Sequence, residues 1–456
     1  MTEALSALES RLIDYAASLD FSELSDVAIA QTKRRIADTI GGAIGAYAMG
    51  APRIARVVAP KITSGPRASI WGSLEQTTPE AAAFANGTML RYLDINDTHR
   101  TVDGSHPSDN IGGLFATVEM LGMSGRDLPL ATAISYEIQC RFVDAVPFNT
   151  NGWDQPVPGV MAMALSAGRL MGLNPESLRD ALALAVVPNL CTYQTRAGEL
   201  SMWKGAAGGN GARQGIFAAR LAAEGMTGPY EAFDGIFGLW NQTVGKPYDL
   251  PELARKGGTF GVQQTNIKMY PVRDSCQLPV NTARALRIKV AAADISSLKI
   301  TTYKSAYKGA VEDPELWAPK TRETADHSML VAVVIGLIDG TLTPETFERG
   351  RFLDADVLSL IGQTEVVVSD DFSSLTPGVR TCRLEAVDTA GETHIVEHAL
   401  TAKDIEVGPS DSEVEQKFMD LTGRLLPRSA SEKLFAALMD LENHETLDEI
   451  IGLTRI

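Results

Sequence analysis

The sequence predicts a mainly α-helical protein with an α+β insertion. A large all-helical domain is formed by both chain ends, residues 1–268 and 403–456, and a smaller α/β lid domain by residues 269–402. Three observations predict this fold. Helical periodicity dominates up to about residue 267, β-rich segments follow, and a helical pattern returns in the tail.

The first two-thirds of the chain carry helical signals. Ile29, Ile36, Ile40 and Ile44 recur at multiples of about one turn, and the glycine pair Gly41–Gly42 inside this stripe allows a close helix contact. Ala-rich segments such as "PEAAAFANGTMLRYLDI" are typical of helices that pack against other helices. In "NPESLRDALALAVV", Asn174 is a natural N-cap before a proline at the first helical position.

The insertion is predicted from segments rich in β-branched residues. These are "SLKITTY" (297–303), "TEVVVSD" (364–370), "RTCRLEAVDT" (380–389) and "THIVEHAL" (393–400), and the last two flank "AGE" as a hairpin. Between them, "TRETADHSMLVAVVIGLIDG" has the pattern of an apolar helix with a polar start.

Composition excludes several classes of protein. The chain has 456 residues, more than one hydrophobic core usually supports, and its net charge of −16 argues against nucleic acid as a partner. It has no apolar run of about 18 residues, so no membrane contact is expected, and the acidic N-terminus does not resemble a signal peptide. The four widely spaced cysteines indicate reduced thiols and no metal cluster, so we expect a cytoplasmic protein.

The segment "RYLDINDTHRTVDGSHPSDN" (91–110) concentrates acids, hydroxyls and histidines. If the preceding helix continues through it, Asp94 and Thr98 share one face, and His99 points away from them. His106 would stand beside the N-terminus of a helix capped by Ser108, where carboxylates bind well. Such groups suit proton transfer next to a bound anion. A polar loop with a helix cap and a divalent metal site are the alternatives.

Several motifs occur in one order along nearly the whole chain. They are "AAAFANGTMLRYLDINDTH", "HPSDN", "GELSMWKGAAGGNGARQG", "KMYPVRDSCQLPV" and "PKTRETADHS". Together they resemble the MmgE/PrpD family, which includes 2-methylcitrate dehydratase and cis-aconitate decarboxylase. The resemblance implies a helical domain built from both chain ends with a late lid insertion. It also implies a homodimer, di- or tricarboxylate substrates, and no metal or other cofactor.

Matched motif by motif, the resemblance implies that Asp94, Thr98, His106 and Lys204 are catalytic. Lys204 would bind a substrate carboxylate and stabilise the negative charge that develops on it. Lys268 and Arg273 flank "YP" at the predicted domain junction, where they could bind carboxylates or lie exposed at a hinge.

Other positions depart from the family pattern or admit a second explanation. Gln277 stands where the decarboxylases have a histidine, and we assign it to the substrate-binding set. Many members have a histidine near Gln155 and a tyrosine at Val331. Arg322 and His327, in "TRETADHS", are either site residues or a capping network at the start of the lid helix, and we favour the capping network.

The sequence therefore predicts a carbon–oxygen lyase that dehydrates a hydroxy-tricarboxylate, with 2-methylcitrate as the leading candidate. Either His106 or Asp94 would be the base, and His106 or Thr98 would deliver a proton to the leaving hydroxyl. Alternatives on the same framework are a cis-aconitate-type decarboxylase and a dicarboxylate epimerase. A non-catalytic carboxylate-binding protein is the alternative from another class.

Overall fold

The computed structural model describes residues 6–456 and is mainly helical. The helices before residue 250 are α1 (Ala7–Ser18), α2 (Asp26–Ala46), α3 (Gly50–Val58), α4 (Pro79–Tyr92), α5 (Ile111–Leu121), α6 (Asp127–Ala145), α7 (Pro156–Leu170), α8 (Pro175–Val186), α9 (Ala207–Ala223) and α10 (Leu239–Thr243). Two short antiparallel pairs accompany them, β1 (Ala68–Ser69) with β2 (Gln76–Thr77) and β3 (His99–Arg100) with β4 (Gly104–Ser105).

The middle of the chain alternates helices and strands. These elements are α11 (Asp274–Arg287), β5 (Ile295–Thr302), α12 (Lys304–Ala310), α13 (Arg322–Ala325), α14 (Met329–Asp339), α15 (Pro344–Glu348), α16 (Ala355–Gly362), β6 (Thr364–Val368), α17 (Asp370–Leu375), β7 (Val379–Asp388) and β8 (Thr393–Thr401). The strands form one sheet in the order β6-β5-β7-β8, parallel between β5 and β6 and antiparallel elsewhere. The predicted strands and the hairpin are confirmed.

The tail returns to helix, as predicted, with α18 (Ala402–Val407), α19 (Asp411–Thr422), α20 (Arg428–Met439) and α21 (Asp448–Thr454). Its apolar side chains join those of the first helices in one hydrophobic core, which draws on residues 12–262 and 418–451. A second core is built from residues 270–396. The domain boundaries that the sequence suggested, at 268/269 and 402/403, stay a prediction. Across residues 6–456, no helix has both the length and the apolarity to span a membrane.

Local signals explain how these helices begin and pack. The Asn174 side chain accepts a hydrogen bond from the Ser177 N–H, which confirms the predicted cap of α8. A Cβ placed on Gly41 would lie 2.8 Å from the Phe418 ring. Because glycine has no side chain, α19 can pack closely against α2 at this position. Helices α4 and α9 approach still more closely, where Gly87 faces Gly209 backbone to backbone. That contact fixes α4 against α9. It thereby positions the segment that follows α4 and the turn that precedes α9.

We expect Gly87→Ala to destabilise the protein, because the added methyl group would collide with the Gly209 backbone. Overpacking of this kind costs about 1 to 3 kcal/mol. The matched control is Gly452→Ala in α21, where an added Cβ meets no atom within 4 Å. Chemical denaturation should show the first variant clearly less stable than wild type and the control unchanged or more stable. Equal free energies of unfolding for the two variants would contradict the close α4–α9 contact.

Candidate active site

A small polar cavity lies where the two cores meet. Its volume is about 40 Å³. Most of its lining comes from residues before 200, and Arg273, Asp274 and His327 come from the second core's segment. The complete lining is Arg91, Asp94, Arg100, Gly104, His106, Asn149, Asp154, Gln155, Tyr193, Arg196, Arg273, Asp274 and His327. The structure thus brings the predicted Asp94, His106 and Arg273 to one place.

Asp94 follows the end of α4 and adopts a left-handed backbone conformation, with φ of 51°. Helix α4 ends at Tyr92, and the Asp94 N–H donates to the Arg91 carbonyl oxygen at 3.1 Å. This is the position after a helix where a left-handed residue, usually glycine, closes the last turn. Asp and Asn tolerate that conformation better than most residues do. The turn aims the Asp94 carboxylate at the cavity.

The expectation that the helix continues through Thr98 is wrong, because the left-handed residue ends it. Thr98 instead pairs its backbone with Asn266, and its hydroxyl donates to the Ser105 carbonyl oxygen at 3.2 Å. It does not line the cavity that contains Asp94. His99 lies away from Asp94, as expected. The cause is not its angle on a helix, because the helix ends before this residue. It is buried, with Nε2 2.7 Å from an Asp144 oxygen.

The Asp94 carboxylate contacts three cations. Arg91 donates to it at 2.5 Å, Lys268 forms a second ion pair, and the Lys204 ammonium lies 3.4 Å from Oδ2. All four side chains are almost fully buried. Burial alone would raise the pKa of Asp94, but the charges of Arg91, Lys268 and Lys204 outweigh it and hold the pKa well below the ordinary value. Asp94 is therefore a stable carboxylate and a poor base.

Lys204 links Asp94 to the second core's segment. It lies in a single turn before α9, and its Nζ donates to Asp326 Oδ1 at 2.6 Å. The same Asp326 oxygen lies 2.6 Å from His327 Nδ1. Burial lowers the pKa of Lys204, although both aspartates oppose the shift. Burial also lowers the pKa of Lys268, to about 8. In this conformation both ammonium groups contact carboxylates and do not line the cavity.

The His106 ring is fixed by two hydrogen bonds. Nδ1 lies 2.8 Å from the Asp97 carbonyl oxygen, and an Arg91 Nη2 donor lies 2.9 Å from Nε2. A carbonyl oxygen only accepts and a guanidinium only donates, so Nδ1 carries the proton and Nε2 is the acceptor. Burial, then the charges of Arg91 and Lys268, hold the pKa of His106 well below the ordinary value. The imidazole is therefore neutral.

The predicted capping of the next helix by Ser108 is wrong. A single tight turn over Pro107–Asn110 precedes α5, so Ser108 lies inside the turn and its N–H donates to Asp97 Oδ1 at 3.2 Å. His106 does precede a helical segment, as expected, but its ring bonds Asp97 and Arg91 instead of a cap.

Gln277 was predicted to bind substrate. In this structure its side-chain amide forms hydrogen bonds with backbone groups. Its Oε1 accepts from the N–H groups of Met269 and Tyr270 at 3.0 and 3.1 Å. Its Nε2 donates to the carbonyl oxygens of Tyr270 and Val272, both at 2.9 Å. The amide is thus fully used by the backbone around the "YP" segment and does not line the cavity.

The structure adds residues that the sequence interpretation missed. Helices α13 and α14 are capped by Thr321 and Ser328, so the capping role expected for Arg322 and His327 is wrong. His327 lines the cavity, and Arg322 donates to the Tyr92 carbonyl oxygen at 2.9 Å, at the end of α4.

Arg91 was also missed. The available signal was a cation in an apolar helix three residues before Asp94, since a buried charge needs a partner.

Gln155 and Val331, the departures from the family pattern, lie in different environments. Gln155 lines the cavity, accepts from the His106 N–H at 3.2 Å and donates to Asp109 Oδ2 at 2.7 Å. Burial raises the pKa of Asp109 to about 6. Val331 is fully buried in α14. Gln155 therefore supports the wall behind His106, whereas Val331 belongs to the second core.

The cavity opens toward a larger cleft of about 490 Å³, and the two share Arg100, Asn149, Tyr193, Arg196 and Arg273 as lining residues. Four arginines and three aspartates line the inner cavity. Arg273 donates to the Gly309 carbonyl oxygen and forms no ion pair with a described carboxylate. The path from cleft to cavity is therefore electropositive, although the chain carries a net charge of −16.

Asp94, Asp326 and His327 bring potential metal-ligand atoms within 4.8 Å of one another. However, the Lys204 ammonium lies among them, 2.6 Å from Asp326 and 3.4 Å from Asp94. A divalent ion there would face an adjacent positive charge, and the carboxylates already have a cationic partner. The donor set fits the ammonium group better than a metal ion.

Comparisons with known families agree with the motif resemblance. The family model described as the MmgE/PrpD N-terminal domain matches residues 10–250, and that of the MmgE/PrpD C-terminal domain matches residues 270–442. Together the two matches cover most of the chain.

Curated relatives are similar along most of their length. 2-Methylcitrate dehydratase of Cupriavidus necator is 27% identical over 381 residues, which cover 78% of this chain and 76% of the relative. 2-Methylcitrate dehydratase of Escherichia coli K12 is 26% identical, covering 74% and 72%. Human cis-aconitate decarboxylase is 25% identical over 458 residues, covering 96% and 92%.

We expect Asp94→Asn to lower the free energy of unfolding by about 3 to 5 kcal/mol at neutral pH, because it leaves buried cations without their carboxylate. The folded pKa of Asp94 is depressed, so its stabilisation is complete above the unfolded pKa of about 3.9 and is lost as pH falls through the folded pKa. The deficit should therefore persist down to about pH 4. The surface control Asp356→Asn, which removes an exposed partner of Arg351, should cost about 1 kcal/mol or less. Urea unfolding measures both, and equal losses would contradict the assignment.

Proposed function

The chain belongs to the MmgE/PrpD family, and we propose that it is a hydro-lyase that dehydrates a hydroxy-tricarboxylate of the 2-methylcitrate kind. The observation that carries the proposal is a small polar cavity in which neutral imidazoles face an excess of cations. These are the groups needed to remove a proton next to a carboxylate and to hold the resulting charge. We propose that no metal ion or other cofactor takes part.

The charges around the cavity favour a substrate with several carboxylates. Behind the lining arginines and aspartates, Lys204 and Lys268 face Asp94 and Asp326. Cationic groups therefore outnumber the carboxylates in and behind the wall. Substrate carboxylates can take over cations now held by the protein's own aspartates, at little cost in buried charge.

Dehydration begins with removal of a weakly acidic proton α to a carboxylate. As the proton leaves, the carboxylate gains a second negative charge, which Lys204 and Arg91 would stabilise at short range. Asp94 is unsuited to act as the base, because three cations hold it in its ionised form. We therefore assign Asp94 to hold these cations in place, and assign the proton transfer to a neutral imidazole at the cavity wall. The departing hydroxyl takes up a proton and leaves as water.

Substrate entry requires the two cores to move apart. A cavity of about 40 Å³ holds a few water molecules, whereas a tricarboxylate is several times larger. The segment of the second core would act as the lid. Its contacts with the helical core include the Lys204–Asp326 ion pair and Arg322, whose guanidinium lies 4.2 Å from the centre of the Tyr92 ring. Charged contacts of this kind can exchange partners as substrate binds.

A decarboxylase of the cis-aconitate type is the second candidate. Human cis-aconitate decarboxylase matches 96% of the chain, a larger share than the dehydratases do. Decarboxylation leaves a carbanion that needs a proton donor, and the position that resembles the decarboxylases' histidine is Gln277. An amide is a poor proton donor, and this one is used by backbone bonds. This chemistry favours the dehydratase.

We also propose a homodimer, as the family implies. Val58 and Phe217 are exposed apolar residues that line a groove of about 780 Å³ beside α3 and α9. An apolar patch of this kind is typical of a surface that a second protein covers. Light scattering should give twice the mass of one chain, and a monomer at micromolar concentration would contradict the proposal.

Citrate, 2-methylcitrate, cis-aconitate and iminodisuccinate should distinguish the candidate reactions. We expect 2-methylcitrate to yield a conjugated product that absorbs in the ultraviolet, with EDTA present throughout, and cis-aconitate to release no carbon dioxide. Itaconate formation at a comparable rate would favour the decarboxylase, and inversion of iminodisuccinate would favour the epimerase. Binding without turnover of any of these acids would favour a carboxylate-binding protein. Activity that appears only after a divalent ion replaces EDTA would contradict the metal-free mechanism.

We expect Lys204→Met to lower turnover by about 10²-fold or more, because a charge-stabilising donor is lost. The matched control is Lys33→Met, which removes a lysine paired with Glu442 away from the cavity. Steady-state rates and free energies of unfolding should be measured for both variants. A folded Lys204→Met variant with wild-type kcat would contradict the role assigned to this lysine.

A further inference from the structure

His327 presents an unused ring nitrogen to the cavity. Its ring lines the cavity wall, and its Nδ1 lies 2.6 Å from Asp326 Oδ1. The Lys204 ammonium lies 3.3 Å from the same nitrogen, but the contact with Asp326 is much shorter. A carboxylate oxygen only accepts, so this shorter contact assigns the proton to Nδ1 and the lone pair to Nε2. Among the residues that the structure describes, Nε2 makes no hydrogen bond.

His106, the other imidazole at the cavity, is less available. Its Nε2 already accepts a hydrogen bond from Arg91 at 2.9 Å, and its Nδ1 is bound to the Asp97 carbonyl. It can take a proton only after Arg91 has turned away. Of the two rings, His327 therefore has the lone pair that a substrate proton can reach directly.

Within residues 6–456, two other histidines are bonded to an aspartate, and their surroundings differ from those of His327. His99 is buried, and both of its ring nitrogens have protein partners, Gln264 and Asp144. His394 lies on the hairpin with Nε2 2.9 Å from an Asp388 oxygen, and neither residue lines the cavity. Only the pair of His327 and Asp326 among these three combines an orienting carboxylate with an opening to the site.

The geometry points to His327 as the catalytic base that removes the α-proton, with Asp326 as the residue that positions its ring. The assignment rests on the proposed lyase function. The segment of the second core would then supply the catalytic base as well as act as the lid. The base would then reach the substrate only when the two cores are closed on each other.

The step balances without a further reactant. The C–H bond breaks, Nε2 takes the proton, and the electron pair passes into the adjacent carboxylate. When the C–O bond breaks, that pair forms the double bond, and the hydroxyl leaves with the electrons of its bond. It takes the proton back from the imidazolium and departs as water, which restores neutral His327.

The electrostatic environment is compatible with this role. Burial and the charge of Lys204 lower the pKa of His327 to about 3, so the ring is neutral before substrate binds. A substrate carboxylate near Lys204 would offset that charge and make the ring more basic.

Tricarballylate separates proton removal from elimination, because it has α-protons but no hydroxyl to lose. In D₂O, wild-type protein should exchange these protons for deuterium, observed by NMR. His327→Gln should exchange at least about 10²-fold more slowly, as expected for loss of a positioned base. Its Kd for tricarballylate, measured by calorimetry, should stay within about threefold of wild type, because the cations that bind carboxylates remain.

Further variants separate chemistry from structure. His327→Ala should regain exchange when imidazole is added to the buffer, which a purely structural defect would not do. Asp326→Asn should lower the exchange rate with little change in Kd, since the ring loses its orientation. His394→Gln with Asp388→Asn, a histidine–aspartate pair outside the site, should behave as wild type.

The outcomes distinguish the two proposals. Equal exchange rates in wild type and a folded His327→Gln variant would overturn the assignment of His327 and leave the lyase function standing. Wild-type protein that neither binds tricarballylate nor converts any of the candidate acids would overturn the lyase function and, with it, this assignment.

Discussion

Asp94 is one buried carboxylate that holds three cations from separate parts of the chain. Arg91 comes from α4, Lys204 from the turn before α9, and Lys268 from the junction between the cores. Without that carboxylate, like charges would be buried together, which costs several kcal/mol. The cluster therefore fixes where the end of α4, the start of α9 and the second core meet. It also holds together the positive charges that would bind the carboxylates of the proposed substrate.

Lys204 extends this arrangement across the junction. Its ammonium contacts both Asp94 and Asp326, and Asp326 in turn orients the His327 ring. Closure of the two cores thus assembles the proposed site. The small cavity volume and the electropositive cleft outside it are compatible with a protein that opens to admit an anion and then closes. Binding and chemistry would then depend on the same set of ion pairs.

The fold could be predicted largely from local patterns, and the site only in part. Helical spacing and β-rich segments located the elements because they report which face is buried. The continuation of α4 through Thr98 was mispredicted, since the sequence does not reveal that Asp94 takes a left-handed conformation. Asp326 and His327 were missed as site residues because their contacts with Lys204 join positions more than 100 residues apart. Arg91 was missed although it lies only three residues before Asp94. Gln277 was assigned to the substrate from its position alone, whereas its backbone contacts depend on the turn around it.

Asp94 and a bound polycarboxylate should compete for the same cations. Calorimetric titration of tricarballylate into wild type and Asp94→Asn measures this competition. If Asp94 serves to hold the cations, the variant should bind tricarballylate at least as tightly as wild type, although it is less stable without ligand. Binding that is weaker by about tenfold or more in a folded variant, or about 1.4 kcal/mol, would contradict it. Asp94 would then contact the substrate directly instead of holding the groups that do.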